Sequence, residues 1–253
     1  MVEVNAGQLR SDWGGLAYFS GAILLVSLPA PVVSALLPAP LSPLPWQHSR
    51  SGRHPLIFIF GEMADGGAHI GGMRLSTGVR YRECAVMVPF VQHAALEQPA
   101  VFACEMFADD MRAVTLGNSY YGLQKSKAQI EWQGANYEVH ERGRCRFRAS
   151  GRLNGDWSST LLEADEQLLR IRRLFTLPIL GRRSSGVFVR SRFEWDFALG
   201  EARAFSGKVW WLGRQTGKPR SFSAHAGSGY AVRGMRWQTT APERVSQISP
   251  RRS

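Results

Sequence analysis

Residues 16–37 form a run of 22 residues without a single charge, LAYFSGAILLVSLPAPVVSALL. A run of that length could cross a bilayer as one helix. Pro29 and Pro31 fall inside it, and a helix interrupted there would lose backbone donors and clash with its preceding turn. Ser20, Ser27 and Ser34 break the apolar surface further. The residues instead predict a strand over AILLVSL, a Pro-bounded turn and a short helix over PVVSALL. Upstream, Glu3 and Asp12 precede the apolar run, which is unlike a signal peptide. The expectation is a core segment of a cytoplasmic protein with no membrane partner.

The rest of the chain supports a sizeable core. It has 253 residues, 44% of them hydrophobic, enough for one large domain. The net charge of +11 is unevenly spread. Residues 1–141 carry 9 basic and 12 acidic side chains, whereas residues 142–253 carry 22 and 8. Only Lys208 and Lys218 among those 22 are lysines. An arginine-rich half suits nucleic acid or an acidic partner. Because the arginines form no dense run, that reading is not favoured. Cys84, Cys104 and Cys145 are odd in number and lack metal-ligand spacing, so three unpaired thiols and no metal are expected. The six histidines are scattered, and no P-loop, G-x-S-x-G or H-E-x-x-H motif occurs.

Strand signals dominate. PLIFIFGEM runs into Asp65-Gly66-Gly67, which reads as a turn. YRECAVMVPFV and PAVFACEMFADD follow as strands. Asp109 and Asp110 then precede MRAVTLGNS, a helix start with Gly117 as its expected stop. In RCRFRASGRL, strict alternation puts Arg144, Arg146 and Arg148 toward solvent and Cys145, Phe147 and Ala149 toward the core. Residues 161–175 fit either strand or helix. GVFVRSRFEWDFAL and ARAFSGKVWWLG read as further strands. Seven or eight strands and two or three short helices are expected in residues 1–240, with residues 241–253 a flexible basic tail.

The order of these pieces resembles the acetoacetate decarboxylase family. Leu37-Pro38-Ala39-Pro40-Leu41 matches the family's L-P-x-P-L phrase, and GNSYYGLQKSK (117–127) aligns without a gap on its G-R-E … aromatic-Pro-Lys-Lys phrase. In that alignment Lys125 matches the first lysine, Ser126 the second and Gln124 the proline. Asn118 and Ser119 replace the Arg and Glu. The resemblance spans residues 15–200. It implies a mainly β, α+β domain: an antiparallel closed or cone-like β-barrel around a central cavity, with a few peripheral helices.

It also implies chemistry. Lys125 falls on the family's Schiff-base lysine and Glu83 on an active-site glutamate. A nucleophilic lysine must be neutral, and an apolar pocket or adjacent cation activates it; the family itself illustrates this rule. With Ser126 in place of the second lysine, Lys127 is the substitute cation, since i and i+2 of an extended segment share a side. An arginine of the family falls on Phe19, and a second glutamate on Phe60, with Glu62 two residues away. Glu62, Tyr121, Gln124 and Lys127 are therefore the expected substrate-binding residues around Lys125 and Glu83. Asn118 is a further candidate for hydrogen bonding to substrate. The loss of the arginine argues against β-keto acid decarboxylation and leaves aldol, retro-aldol, dehydration or hydration chemistry.

Three readings follow. The first is a lyase acting on a small oxo acid or ketone, without a cofactor and as a homo-oligomer. The second is a non-catalytic relative holding a small apolar or acidic ligand. The third is an arginine-rich module for nucleic acid or an acidic partner, which a steep salt dependence would reveal.

Overall fold

The uncharged run becomes β1 (Trp13–Pro29) followed by α1 (Ala30–Ser34). Pro29 and Pro31 thus stand at a helix start, where a missing N–H costs nothing. In this computed structural model the described residues are 13–45, 52–70, 73–159, 165–196, 199–214, 219–224 and 229–245. Next in order are β2 (Ser42–Pro43), β3 (Arg53–Ile70), β4 (Met73–Gln92), β5 (Ala100–Ala108) and α2 (Met111–Ser119). They lead to β6 (Lys125–Lys127), β7 (Gln129–Gln133), β8 (Asn136–Glu141), β9 (Arg144–Ser158) and α3 (Glu166–Phe175). The chain continues through β10 (Ile179–Arg182), β11 (Phe188–Ser191), β12 (Phe193–Asp196) and β13 (Glu201–Leu212). It ends with β14 (Pro219–Ala224), β15 (Gly229–Thr239) and β16 (Glu243–Arg244).

All sixteen strands join one sheet, with the path β16-β11-β10-β5-β4-β3-β1-β15-β13-β9-β8-β7. The expected seven or eight strands undercounted it, because short pieces such as β2, β6 and β16 carry no periodic signal of their own and GVFVRSRFEWDFAL divides into β11 and β12. The sheet is mostly antiparallel; β10 and β6 pair parallel with β5. It curls so far that β8 reaches back to β4: the Tyr137 hydroxyl donates to the Glu83 carbonyl oxygen at 2.7 Å. Ala128 N–H likewise donates to Ala108 O. No ladder joins β7 to β5 among the described residues, so the hydrogen-bonded path stays open.

Both faces of the central strands are buried, so their sequences read as continuous apolar runs. The concave face packs Phe58, Phe60, Tyr137, Phe147, Phe205 and Trp211 into one core. Phe60 lies 5.1 Å from both Tyr137 and Phe147, ring centre to ring centre. The opposite face forms a second core with Phe19, Ile59, Met63, Ala85 and Met106, covered by Leu168, Ile171 and Leu174 of α3. No helix among the described residues is long and apolar enough to cross a membrane.

Several sequence expectations need correction. Asp65-Gly66-Gly67 is no turn: β3 runs through it with register shifts, and Asp65 adopts a φ of 51°. Such bulges let one long strand bend without ending. Residues 71–72, between β3 and β4, lie outside the described residues. Residues 241–245 are not a free tail. β16 pairs with β11, and Val245 is buried in the concave core. The remainder of that segment, 246–253, lies outside the described residues. Gly117 does not stop α2, which continues to Ser119. The ambiguous residues 161–175 resolve into α3 from Glu166 onward; 161–164 lie outside the described residues.

The arginine stripe is half right. Arg144 and Arg148 are exposed, Phe147 and Ala149 fully buried, and Cys145 half-buried. Arg146, however, is buried and pairs with buried Glu105 at 2.8 Å. The cause is a bulge: Val139 pairs with Phe147 but His140 with Cys145, so Arg146 is the extra residue. A bulge resets the alternation and turns Arg146 inward beside Phe147. Trp211 Nε1 and the Arg214 backbone N–H also donate to Glu105.

Removing Arg146 leaves buried Glu105 with the half-exposed Arg214 guanidinium, 3.3 Å away, as its remaining cation, too little to balance a buried carboxylate. Arg146→Ala should therefore lose about 3–5 kcal/mol in denaturant melts. Arg148→Ala, which breaks only an exposed pair with Glu138, should cost about 1 kcal/mol or less. The three cysteines are free. Burial pushes the Cys84 and Cys104 thiols well up. A thiol reagent should find three sites in unfolded protein without reductant. In folded protein, Cys84 and Cys104 should be silent and only half-buried Cys145 should react.

Candidate active site

β5 and β6 run parallel, joined by α2 in a tight crossover. α2 begins where Asp110 caps it, accepting from Arg112 N–H and Ala113 N–H. An anionic cap suits the positive end of the helix. After α2 the chain turns through Gly122 and enters β6 by way of Gln124, whose φ is 52°. A proline cannot adopt that angle. The backbone entering β6 therefore differs from the proline-containing family phrase at this position. β6 then pairs Lys125 with Met106 and Lys127 with Ala108.

This register aims Lys125 at the face of the sheet bearing Met106. Glu83 on β4 faces the same way, because its neighbour Cys84 belongs to the concave core. The two meet: Lys125 Nζ forms an ion pair and hydrogen bond with Glu83 Oε2. Lys125 is 8% exposed and Glu83 7%. The Tyr81 ring lies below the amine, 5.4 Å from Nζ to its centre. Burial, with Glu83 next, holds the Tyr81 hydroxyl well above the usual phenol range.

Two residues of α2 build this position. The Asn118 side-chain amide receives the Lys125 backbone N–H at 2.6 Å and donates to the Lys125 carbonyl at 2.8 Å. It stands in for a neighbouring strand along the open side of β6. Asn118 is thus committed to the main chain rather than to a substrate. Gly117 lies against the lysine stem: a Cβ there would come within 2.7 Å of Lys125 Cδ. The glycine that reads as a helix stop is instead a gap through which the lysine passes.

The other expected residues divide. Tyr121 is buried on the same face; burial, then Tyr120, pushes its hydroxyl up to about 12, against Thr239 and Gly15. Gln124 is half-buried beside Lys125. Glu62 is not brought to the pair. It shares the face of Phe60, opposite Glu83, and pairs with Arg80 at 3.5 Å. Lys127 is exposed, and its Nζ donates to the Asp109 carbonyl. Phe19 is on the Glu83 side, fully buried, with its ring over Gly21 and Gly61. Gly61 is the strand partner of Glu83. An apolar cavity of about 110 Å³ lies against Phe60, Trp132 and Phe205, and neither Lys125 nor Glu83 lines it. The pair therefore sits opposite the concave interior in which a central cavity was expected.

Helical Gly→Ala exchange normally stabilises by about 1 kcal/mol. In Gly117→Ala the new methyl must push the Lys125 stem aside, so melts should show no such gain. Asn118→Ala leaves two buried backbone groups unpaired and should cost about 1–3 kcal/mol for each. Chemical denaturation measures both, and full stability of Asn118→Ala would show that the amide clamp is absent.

No family model matches the chain, and no curated protein matches it in sequence. Solved structures do. Acetoacetate decarboxylase from Legionella pneumophila superposes with a TM-score of 0.62 at 13% identity, covering 96% of this chain and 93% of that one. The enduracididine biosynthesis enzyme MppR complexed with pyruvate gives 0.60 at 12% identity, covering 97% and 95%. An acetoacetate decarboxylase-like enzyme from Sphingomonas wittichii RW1 gives 0.59 at 11% identity, covering 95% and 96%. Over nearly its whole length, this chain has the fold of acetoacetate decarboxylase and of enzymes built like it.

Proposed function

We propose that this chain is a divergent acetoacetate-decarboxylase-like lyase in which Lys125 forms a Schiff base with a small carbonyl compound and Glu83 carries the protons. The observation that supports it is the buried contact between Lys125 Nζ and Glu83 Oε2. Two residues 42 positions apart in sequence, each matched to a family active-site residue, meet in an apolar setting. MppR, of the same fold, was solved with the condensation product of pyruvate and imidazole 4-carboxaldehyde. Carbonyl condensation is the reaction class taken over here.

The chemistry balances with these two groups. Lys125 Nζ passes a proton to Glu83, and the neutral amine attacks the carbonyl carbon. A C–N bond forms as the C=O π bond breaks. The oxygen leaves as water with two protons drawn from the nitrogen, one of them carried by Glu83. The iminium that remains draws electrons from an adjacent C–C or C–H bond. The Tyr81 ring, 5.4 Å from Nζ to its centre, then lies beside the adduct, with Tyr121 on the same face.

A second reading, a ligand-binding relative without catalysis, is favoured by Ser126 beside Lys125 and by Lys127 turned to the Asp109 carbonyl. Trapping separates the two. Cyanoborohydride with a panel of small ketones and oxo acids should leave a reduced adduct on Lys125, found by mass spectrometry. Lys125→Met should lose it, and Lys127→Ala should keep it. Saturable ligand binding with no adduct at any pH up to 9 would establish the second reading instead.

A further inference from the structure

We infer that the Lys125 site selects uncharged carbonyl compounds, ketones and aldehydes with an apolar or aromatic body, over oxo acids. The inference rests on the proposed Schiff-base role of Lys125 and narrows its substrate.

The ground is the charge inventory around the pair. Glu83, Glu105, Lys125 and Arg146 are the buried charged residues among those described, and they form two pairs. Glu105 and Arg146 belong to the concave face, because Glu105 is the strand partner of Val86 in that core. The second face is left with one ammonium and one carboxylate, which cancel. A substrate carboxylate drawn to Nζ would add an unbalanced negative charge beside Glu83. Burying such a charge without a partner is costly.

Four cations on neighbouring segments have partners of their own. Lys127 donates to the Asp109 carbonyl, and Arg82 donates to the Ile130 carbonyl at 3.0 Å. Arg112 pairs with Asp110 at 3.0 Å, and Arg183 donates to the Tyr120 carbonyl. The charges that push up the Tyr81 hydroxyl after burial include Glu83, Asp110 and Asp109.

The face that carries the pair is apolar and aromatic. Phe19, Met63, Met106 and Tyr121 share the second core, and Tyr81, Phe193, Trp195 and Trp237 pack against it. Trp237 Nε1 points at Met63 Sδ, 3.1 Å away. Phe19 lies over Gly21 and Gly61, filling the space next to Glu83 with a ring. Such a face rewards an uncharged body by excluding water from it.

The test is competition for Lys125 under cyanoborohydride in the unmodified protein. Acetone, cyclohexanone and benzaldehyde are compared with pyruvate and acetoacetate. Each rate is divided by that carbonyl's rate with a free alkylamine. The uncharged compounds should label Lys125 faster by about tenfold or more, the scale expected when like charges are juxtaposed in a desolvated site. In Glu83→Gln the ratio of oxo acid to ketone labelling should rise, whatever happens to the absolute rates. Oxo acids labelling Lys125 as fast as ketones would overturn the inference and leave the Schiff-base reading standing. Absence of labelling by every carbonyl would overturn both.

Discussion

The pairing of Lys125 with Glu83 inside an apolar layer is the interaction around which this part of the fold is arranged. Two opposite charges out of water lose more hydration than their attraction returns unless geometry and further contacts compensate. The compensation is visible in the surroundings. The Asn118 amide holds both the N–H and the carbonyl of the lysine main chain along one edge. Gly117 clears a path for its stem, and Tyr81 places a ring beside the ammonium. An arrangement that holds one lysine this closely restricts where its amine can go, which suits a nucleophile better than a surface charge.

The opposite face of the same strands carries a matching feature. Glu105 receives Arg146, Trp211 and the Arg214 backbone, so β4 and β5 separate two buried ion pairs. Both members of the Glu105–Arg146 pair depend on a departure from strict alternation. Arg146 turns inward at a bulge in β9. Glu105 faces the concave core because the β4–β5 register shifts between Val86 and Met87. Bulges thus decide which charges enter which core.

The fold is shared with enzymes that handle carbonyl compounds, while the walls of this site are not what the family phrase would supply. Phe19, Ser126 and the exposed Lys127 leave Lys125 with Glu83 as its charged companion on that face. A common scaffold with altered lining is how one architecture comes to host different substrates. On the proposed reading, the chemistry rests with the pair, and the choice of partner rests with the apolar surface around it.

The sequence by itself determined the local features. The prolines at 29 and 31 disqualified a membrane helix, Asp110 marked the start of α2, and the spacing of GNSYYGLQKSK singled out Lys125. Glu83 was likewise legible once that resemblance was in view. Nothing local told that Glu62 and Glu83 occupy opposite faces, that Gly117 serves the lysine rather than ending a helix, or that Asn118 binds main chain. Nor did it show Lys127 leaving the site or Arg146 entering the core. These depend on which strands pair, in what register, and where a bulge resets the side on which residues point. A one-residue shift moves every following side chain to the other face. Register is settled by contacts between segments tens of residues apart, so only the tertiary structure could decide it.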